Sequence, residues 1–390
     1  MKTTASYARL KAPALAGALW ALLAGGLGCR TTAPAGVLNG PELARALRSR
    51  GLDPAKVVVP FELNAEMRAW AHKVVPDHTP VDKRLDLILA GLLDPEWLRL
   101  EYRAGTTETA QGVFASHHAN CLGFTNLFVG MGREVGVPVF YLDVDDLEKY
   151  EKEGDLVVES GHISAGYDRG GAPRVLEFAR AASTGYRRVH PISDLTATAL
   201  FYSNRGAELL RGGRQAEALG WLRDAVILDP ELARAWVNLG VARRRNGDLA
   251  GAEAAYRKSL ELDPGASAAY RNLAALLRYR GQTREADELV GLMGRLDSRN
   301  PYNYLALGDL ALAHKRLDEA RRFYRTARRL GADGAETCAA LGELSLASGD
   351  RRAAKSWLRK ASARDAANER VKRLAAHLLG LEEAAKTKSG

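Results

Sequence analysis

In the second half of this 390-residue chain, positions 34 residues apart carry the same kind of side chain. Small residues fall at Gly206, Gly240, Ala274, Gly308 and Gly342, and alanines at Ala218, Ala252, Ala286, Ala320 and Ala354. Four residues before each small residue stand Tyr202, Trp236, Tyr270, Tyr304 and finally Cys338. Four after each alanine stand Leu222, Tyr256, Val290, Tyr324 and Leu358. A period of this length that never slips describes a stack of supersecondary units, each too small to bury its own apolar face and each completed by its neighbours. This half is therefore expected to be a solenoid rather than a globular core.

These positions resemble the signature of the tetratricopeptide repeat, as does the LDP at 228–230 and again at 262–264. The resemblance covers five units over 199–368 and implies two short helices in each. A small residue on the first helix would let the alanine of the second approach closely, with the large residue filling the neighbouring gap. Residues 369–390 follow as a capping helix and tail. Cys338, at the aromatic position of the last unit, is expected to be a small core residue. The formal net charge of +9 is carried by this half of the chain, the other half being nearly neutral. Repeat geometry would turn Arg234, Arg244, Arg271 and Arg278 toward the concave groove. That points to a protein or peptide partner presenting acidic side chains or a C-terminal carboxylate; the alternative is an arginine-rich helical surface that is simply solvated. With no reader motif, a nucleic-acid role is not expected.

The N-terminus has the layout of an export signal: Lys2, Arg9 and Lys11 without an acid, then an uncharged run over 13–28, then Cys29 after the small Gly28. No later segment approaches the roughly 20 apolar residues of a helical span. A cysteine at that point resembles a bacterial lipoprotein signal. The resemblance implies a signal over 1–28, lipidation of Cys29, a tether over 29–39, and a mature protein anchored to the membrane of the cell envelope on the periplasmic side; cleavage nearby by an ordinary signal peptidase is the alternative.

Residues 40–198 read as a mixed domain. Segments beginning at Pro41, Phe61 and Thr79 have apolar residues at helical spacing. Cys121 then opens a helical pattern through Leu122, Leu127, Phe128, Met131 and Val135, closed by Gly136 and Pro138. Strand-like stretches follow over VPVFYLDV, over 156–167 with His162, and over 173–178 with Glu177, the last two joined by the turn residues DRGG. The acidic run 143–155 is expected to be a solvated connection or a gating loop, its acids too irregular for a calcium loop. His117 and His118 precede Cys121 without a second spaced pair, so neither a metal site nor a cofactor is expected.

A cysteine at a helix start, a histidine on one strand and an acid on the next resemble the transglutaminase-like superfamily, whose core is a papain-like α+β fold. The match is strongest in NCLGFTNLFVGMGREVGVPV, and the sequel PISDLTATALFYSNRGAELL resembles exported bacterial proteins that join this domain to tetratricopeptide repeats. The resemblance implies a thiol nucleophile at Cys121, a base at His162 and an orienting acid at Glu177, performing amide hydrolysis or transamidation through a thioester. A helix N-terminus and a nearby imidazolium lower a thiol below its free pKa of ~8.5, which that chemistry requires. The backbone N–H of Cys121, with a side chain such as Gln111 or Asn120, would hold the oxyanion. The rival expectation is a non-catalytic adaptor in which both domains bind proteins.

Overall fold

The computed structural model describes residues 36–153, 156–168, 173–176, 189–296 and 300–386. The N-terminal part contains α1 (Gly40–Ser49), α2 (Ala65–Val74), α3 (Val81–Leu93), β1 (Glu101–Tyr102), α4 (Ala110–Ser116), β2 (His118–Ala119), α5 (Cys121–Glu134), β3 (Phe140–Glu153), β4 (Leu156–Asp168), β5 (Pro173–Leu176) and β6 (Val189–Ile192). It is an α+β domain. Local chemistry sets the helix starts. Asn39 forms a reciprocal capping box with Glu42, while Asn64, Thr109 and Asn120 each accept from a backbone N–H of the first turn of α2, α4 and α5. The long third helical pattern stops at Leu93 because Pro95 disfavours helical geometry at Asp94. Its last residues instead become β1.

Helix α5 is the centre of this domain, with every residue from Leu122 to Gly132 buried. Two glycines make that burial sterically feasible. A Cβ at Gly130 would stand 2.5 Å from the Phe61 carbonyl oxygen, and one at Gly132 would stand 2.4 Å from a Val139 methyl. Against α5 lies an antiparallel sheet of order β5-β4-β3-β6. Strands β3 and β4 pair from Phe140↔Gly166 to Val144↔His162, and after an irregularity from Lys149↔Ser160 to Glu153↔Leu156. The acidic run expected to be a connection thus forms the outer length of β3. A ladder is made by backbone groups, so acids do not prevent it once an adjacent strand supplies the partners.

The C-terminal half is a helical solenoid of pairs: α6 (Asp194–Arg211) with α7 (Gln215–Leu228), α8 (Ala233–Arg245) with α9 (Leu249–Leu262), α10 (Ser267–Tyr279) with α11 (Thr283–Met293), α12 (Pro301–Ala313) with α13 (Leu317–Arg329), and α14 (Ala335–Ala347) with α15 (Arg351–Asp365). A last helix, α16 (Glu369–Lys386), opens 34 residues after α14, in register as the first helix of a further unit. Steric fit explains the small-residue series. A Cβ at Gly206 would meet Leu222 at 2.5 Å, one at Gly240 the Tyr256 ring at 2.4 Å, and one at Gly308 the Tyr324 ring at 2.3 Å. In the third unit, where the small residue is Ala274, the opposing residue is the smaller Val290. In the first, second and fourth units the small position therefore makes room for the large residue of the second helix, whereas a Cβ at Gly342 would meet Leu374 of α16 at 2.4 Å.

The two halves share one hydrophobic core that runs from Leu43 to Leu310. Arg133 of α5 holds Asp194, the first residue of α6, through two hydrogen bonds of 2.9 and 2.8 Å. That carboxylate is fully buried and also accepts from the Leu38 N–H at 2.8 Å. Strand β4 packs on α8 and α10, and β3 on α6 and α12, so the β3–β4 hairpin lies along the first helices of the repeats.

Candidate functional site

Cys121 is the first residue of α5, immediately after the Asn120 cap, and its thiol is half-buried and outside any disulfide. Three local devices fix this geometry. His117 ends α4 in the left-handed region (φ 60°), turning the chain sharply into β2; the pairing of β2 with β1 is parallel, with Glu101↔His118 and Tyr102↔Ala119. This pairing carries the exposed Tyr102 to the thiol, its hydroxyl 3.9 Å from Cys121 Sγ. Partial desolvation and the adjacent Cys121 together push the Tyr102 hydroxyl above its usual pKa. Asn120 accepts from the Gly123 N–H at 2.8 Å and donates through Nδ2 to Thr107 Oγ1 at 2.8 Å.

One turn on, the Thr125 hydroxyl lies 2.8 Å from the carbonyl oxygen of Cys121 and 3.1 Å from that of Ile163. A single hydroxyl thereby ties the start of α5 to β4 at the residue after His162. His162 itself pairs with Val144 in the ladder and is partly buried. Glu177 and Cys29 lie outside the described residues, β5 being described up to Leu176, opposite Ala165. Neither side chain expected at an oxyanion is idle. The Gln111 amide donates to the Glu62 carbonyl at 3.3 Å, and the Asn120 amide is taken by Thr107 as above. In the first turn of α5 the Gly123 N–H is taken by Asn120 Oδ1 and the Phe124 N–H by the Asn120 carbonyl. His118 turns Nδ1 to the Ser116 carbonyl at 2.6 Å. No cluster of three or more metal-ligating side chains occurs among the described residues.

On the solenoid, the arginines expected to face a groove are largely engaged within the chain. Arg234 pairs with Asp143 of β3 and is partly buried, and desolvation pulls its guanidinium down to about 10, still charged at neutral pH. The pair ties α8 to β3. Arg271 is 9% exposed; it donates to the Tyr302 carbonyl at 3.0 Å and lies over the Tyr302 ring. Arg278 pairs with Asp287 at 2.9 Å, and Arg244 is partly buried in α8. Arg271 and Arg278 nevertheless line a groove of about 670 Å³ between α10 and α16. Its charged lining also includes Arg370, Arg373, Asp309, Glu336, Asp365 and Glu369. Both signs are equally represented there, so the groove is not a basic surface.

Sequence reasoning missed Tyr102, Thr107 and Glu208. Glu208 of α6 accepts from the Thr107 N–H at 2.6 Å and from Arg205 at 2.7 Å, and burial pushes its carboxyl up. No spacing pattern could have linked it to Cys121. Among the described residues no helix is long and apolar enough to cross a membrane.

Three family profiles described as tetratricopeptide repeat match residues 233–266, 255–288 and 311–378. No curated protein matches the chain. Solved structures similar to it include a thermophilic tetratricopeptide-repeat protein of Thermus thermophilus, at 22% identity over 46% of this chain and 99% of that one, with a TM-score of 0.39. Another is MamA of Desulfovibrio magneticus RS-1 (20% identity, 44% and 97% coverage, TM-score 0.35). A third is YrrB, titled a repeat protein with an unusual peptide-binding site (18%, 45% and 90%, 0.34). With its pairs of helices stepping by 34 residues and its matches on residues 233–288 and 311–378, the C-terminal half of the chain is an array of tetratricopeptide repeats.

Proposed function

We propose that the protein is a thiol acyl-transfer enzyme of the cell envelope, built on a transglutaminase-like domain and served by a repeat array that binds the polypeptide carrying the acyl group. The observation that supports it is the position of Cys121: a reachable thiol in the first turn of a buried, side-chain-capped helix, tied through Thr125 to the strand that bears His162. In this mechanism the Cys121 thiolate attacks an amide carbonyl and the backbone N–H of Cys121 holds the oxyanion. His162 delivers a proton to the departing amine, leaving a thioester. Water or a second amine, deprotonated by His162, then attacks the thioester carbon, and the thiolate leaves. Glu177 would orient the imidazole. The repeats supply binding along the groove between α10 and α16, whose mixed lining suits an extended segment with charges of both signs.

The second reading is a non-catalytic adaptor, favoured by the three family matches falling on the repeats. Thermal unfolding of Cys121→Ala separates the two. A half-buried nucleophile should be dispensable for folding, so the variant should melt within about 2 °C of the unaltered protein while losing all covalent capture of electrophilic peptide probes. A fall in melting of more than about 5 °C with probe capture unchanged would make Cys121 a packing residue and leave the adaptor.

A further inference from the structure

We infer that Glu208, on the first helix of the repeat array, is a positioning residue for the Cys121 site, acting through Thr107 and Asn120. The inference rests on the reading of Cys121 as a nucleophile and adds that its geometry is completed by the repeats. The links are continuous. Arg205 holds Glu208 Oε2 at 2.7 Å; Oε1 accepts from the Thr107 N–H at 2.6 Å. Thr107, only 2% exposed, accepts from Asn120 Nδ2 through Oγ1 at 2.8 Å, and Asn120 Oδ1 takes the Gly123 N–H at 2.8 Å.

The segment so held, 102–107, grips the start of α5 at both ends: Tyr102 at the thiol and Thr107 at the cap. Glu208 reaches it from 101 residues away in sequence. An amide side chain that must accept from Gly123 and donate to Thr107 has a single orientation, because its oxygen and nitrogen are not interchangeable. Remove the carboxylate and the Thr107 N–H is buried without an acceptor, so the segment must move to find one. The cap then turns or loosens and the first turn of α5 frays. A thiolate at a frayed helix end loses the aligned N–H groups that stabilise it. The contact therefore does more than glue two domains: it makes the state of the nucleophile depend on how the first repeat is docked, which is where a partner bound to the solenoid could be felt.

The test is the pH dependence of Cys121 carboxamidomethylation by iodoacetamide in the full chain, resolved by peptide mass spectrometry. The unaltered protein, Glu208→Ala, Glu208→Gln and Thr107→Val would be compared, with a melting curve for each. We expect Glu208→Ala and Thr107→Val to raise the midpoint by about one pH unit, a roughly tenfold loss of reactivity at pH 6. Glu208→Gln, which keeps an accepting Oε1, should recover most of it. A plain domain-docking contact would lower the melting temperature of Glu208→Ala without moving the midpoint, and that result overturns the inference while leaving the nucleophile in place. A midpoint near ~8.5 in the unaltered protein, the value of a free thiol, would overturn the reading of Cys121 itself, and the inference with it.

Discussion

Replacing Arg370 with alanine should cost about 3 kcal/mol and release the last helix from the array. The guanidinium reaches back from α16 to both preceding first helices. It donates to Asp309 of α12 at 3.0 and 2.6 Å and to Glu343 of α14 at 3.0 and 2.6 Å, and the Tyr324 hydroxyl also donates to Asp309 at 2.7 Å. Arg370 is buried, its charge sustained by the two carboxylates against the cost of desolvation. Removing it leaves two acids facing each other with no cation between them. Loss of one partner of a buried pair costs about 3–5 kcal/mol; Asp309 and Glu343 keep some contact with water, which sets the lower end. Urea unfolding gives the magnitude, and amide exchange should accelerate first in α16. A change under about 1 kcal/mol, with α16 still protected, would mean that Val371, Leu374 and Leu378 hold the cap by packing alone.

Gly240→Ala should destabilise by about 1 kcal/mol net, although alanine is the better helix former by about 1 kcal/mol. The added methyl would stand 2.4 Å from the ring of Tyr256, a side chain with no exposed surface that cannot swing away, and overpacking of this kind costs about 1–3 kcal/mol before any propensity gain. The third repeat supplies its own control, since it carries Ala274 against Val290. Combining Gly240→Ala with Tyr256→Val should therefore recover part of the loss, with a coupling of about 1 kcal/mol or more in a double-mutant cycle. Strict additivity of the two single losses would show that the glycine is there for some reason other than the ring.

The repeats were the most legible part of the sequence because a solenoid writes its packing into a period: the Gly240–Tyr256 fit recurs as Gly308–Tyr324, and even α16 opens on the same step. The helix carrying Cys121 was legible for a local reason, an apolar run opened by Cys121 and closed by Gly136 with Pro138. The arginines show where such reasoning stops. Helical spacing places Arg234 on an inner helix, but its partner Asp143 lies 91 residues away in the other domain, and only folding brings them together. The same is true of Glu208 and Thr107. The irregular acids of 143–155 suggest a solvated connection or a gating loop, whereas the strand state of this outer length of β3 depends on β4 lying alongside. Gln111 and Asn120 are near Cys121 in sequence, yet their amides are spent on Glu62 and Thr107.

The acyl-transfer proposal requires a Cys121 thiolate at neutral pH with His162 beside it. Its most direct test is the rate of Cys121 alkylation against pH, read peptide by peptide, in the unaltered chain and in His162→Ala. A midpoint near pH ~6, roughly two units below a free thiol, that returns toward ~8.5 in the variant is the result expected of a coupled nucleophile. The same midpoint in both proteins, near ~8.5 or above, would contradict it and make Cys121 a structural thiol at a helix start.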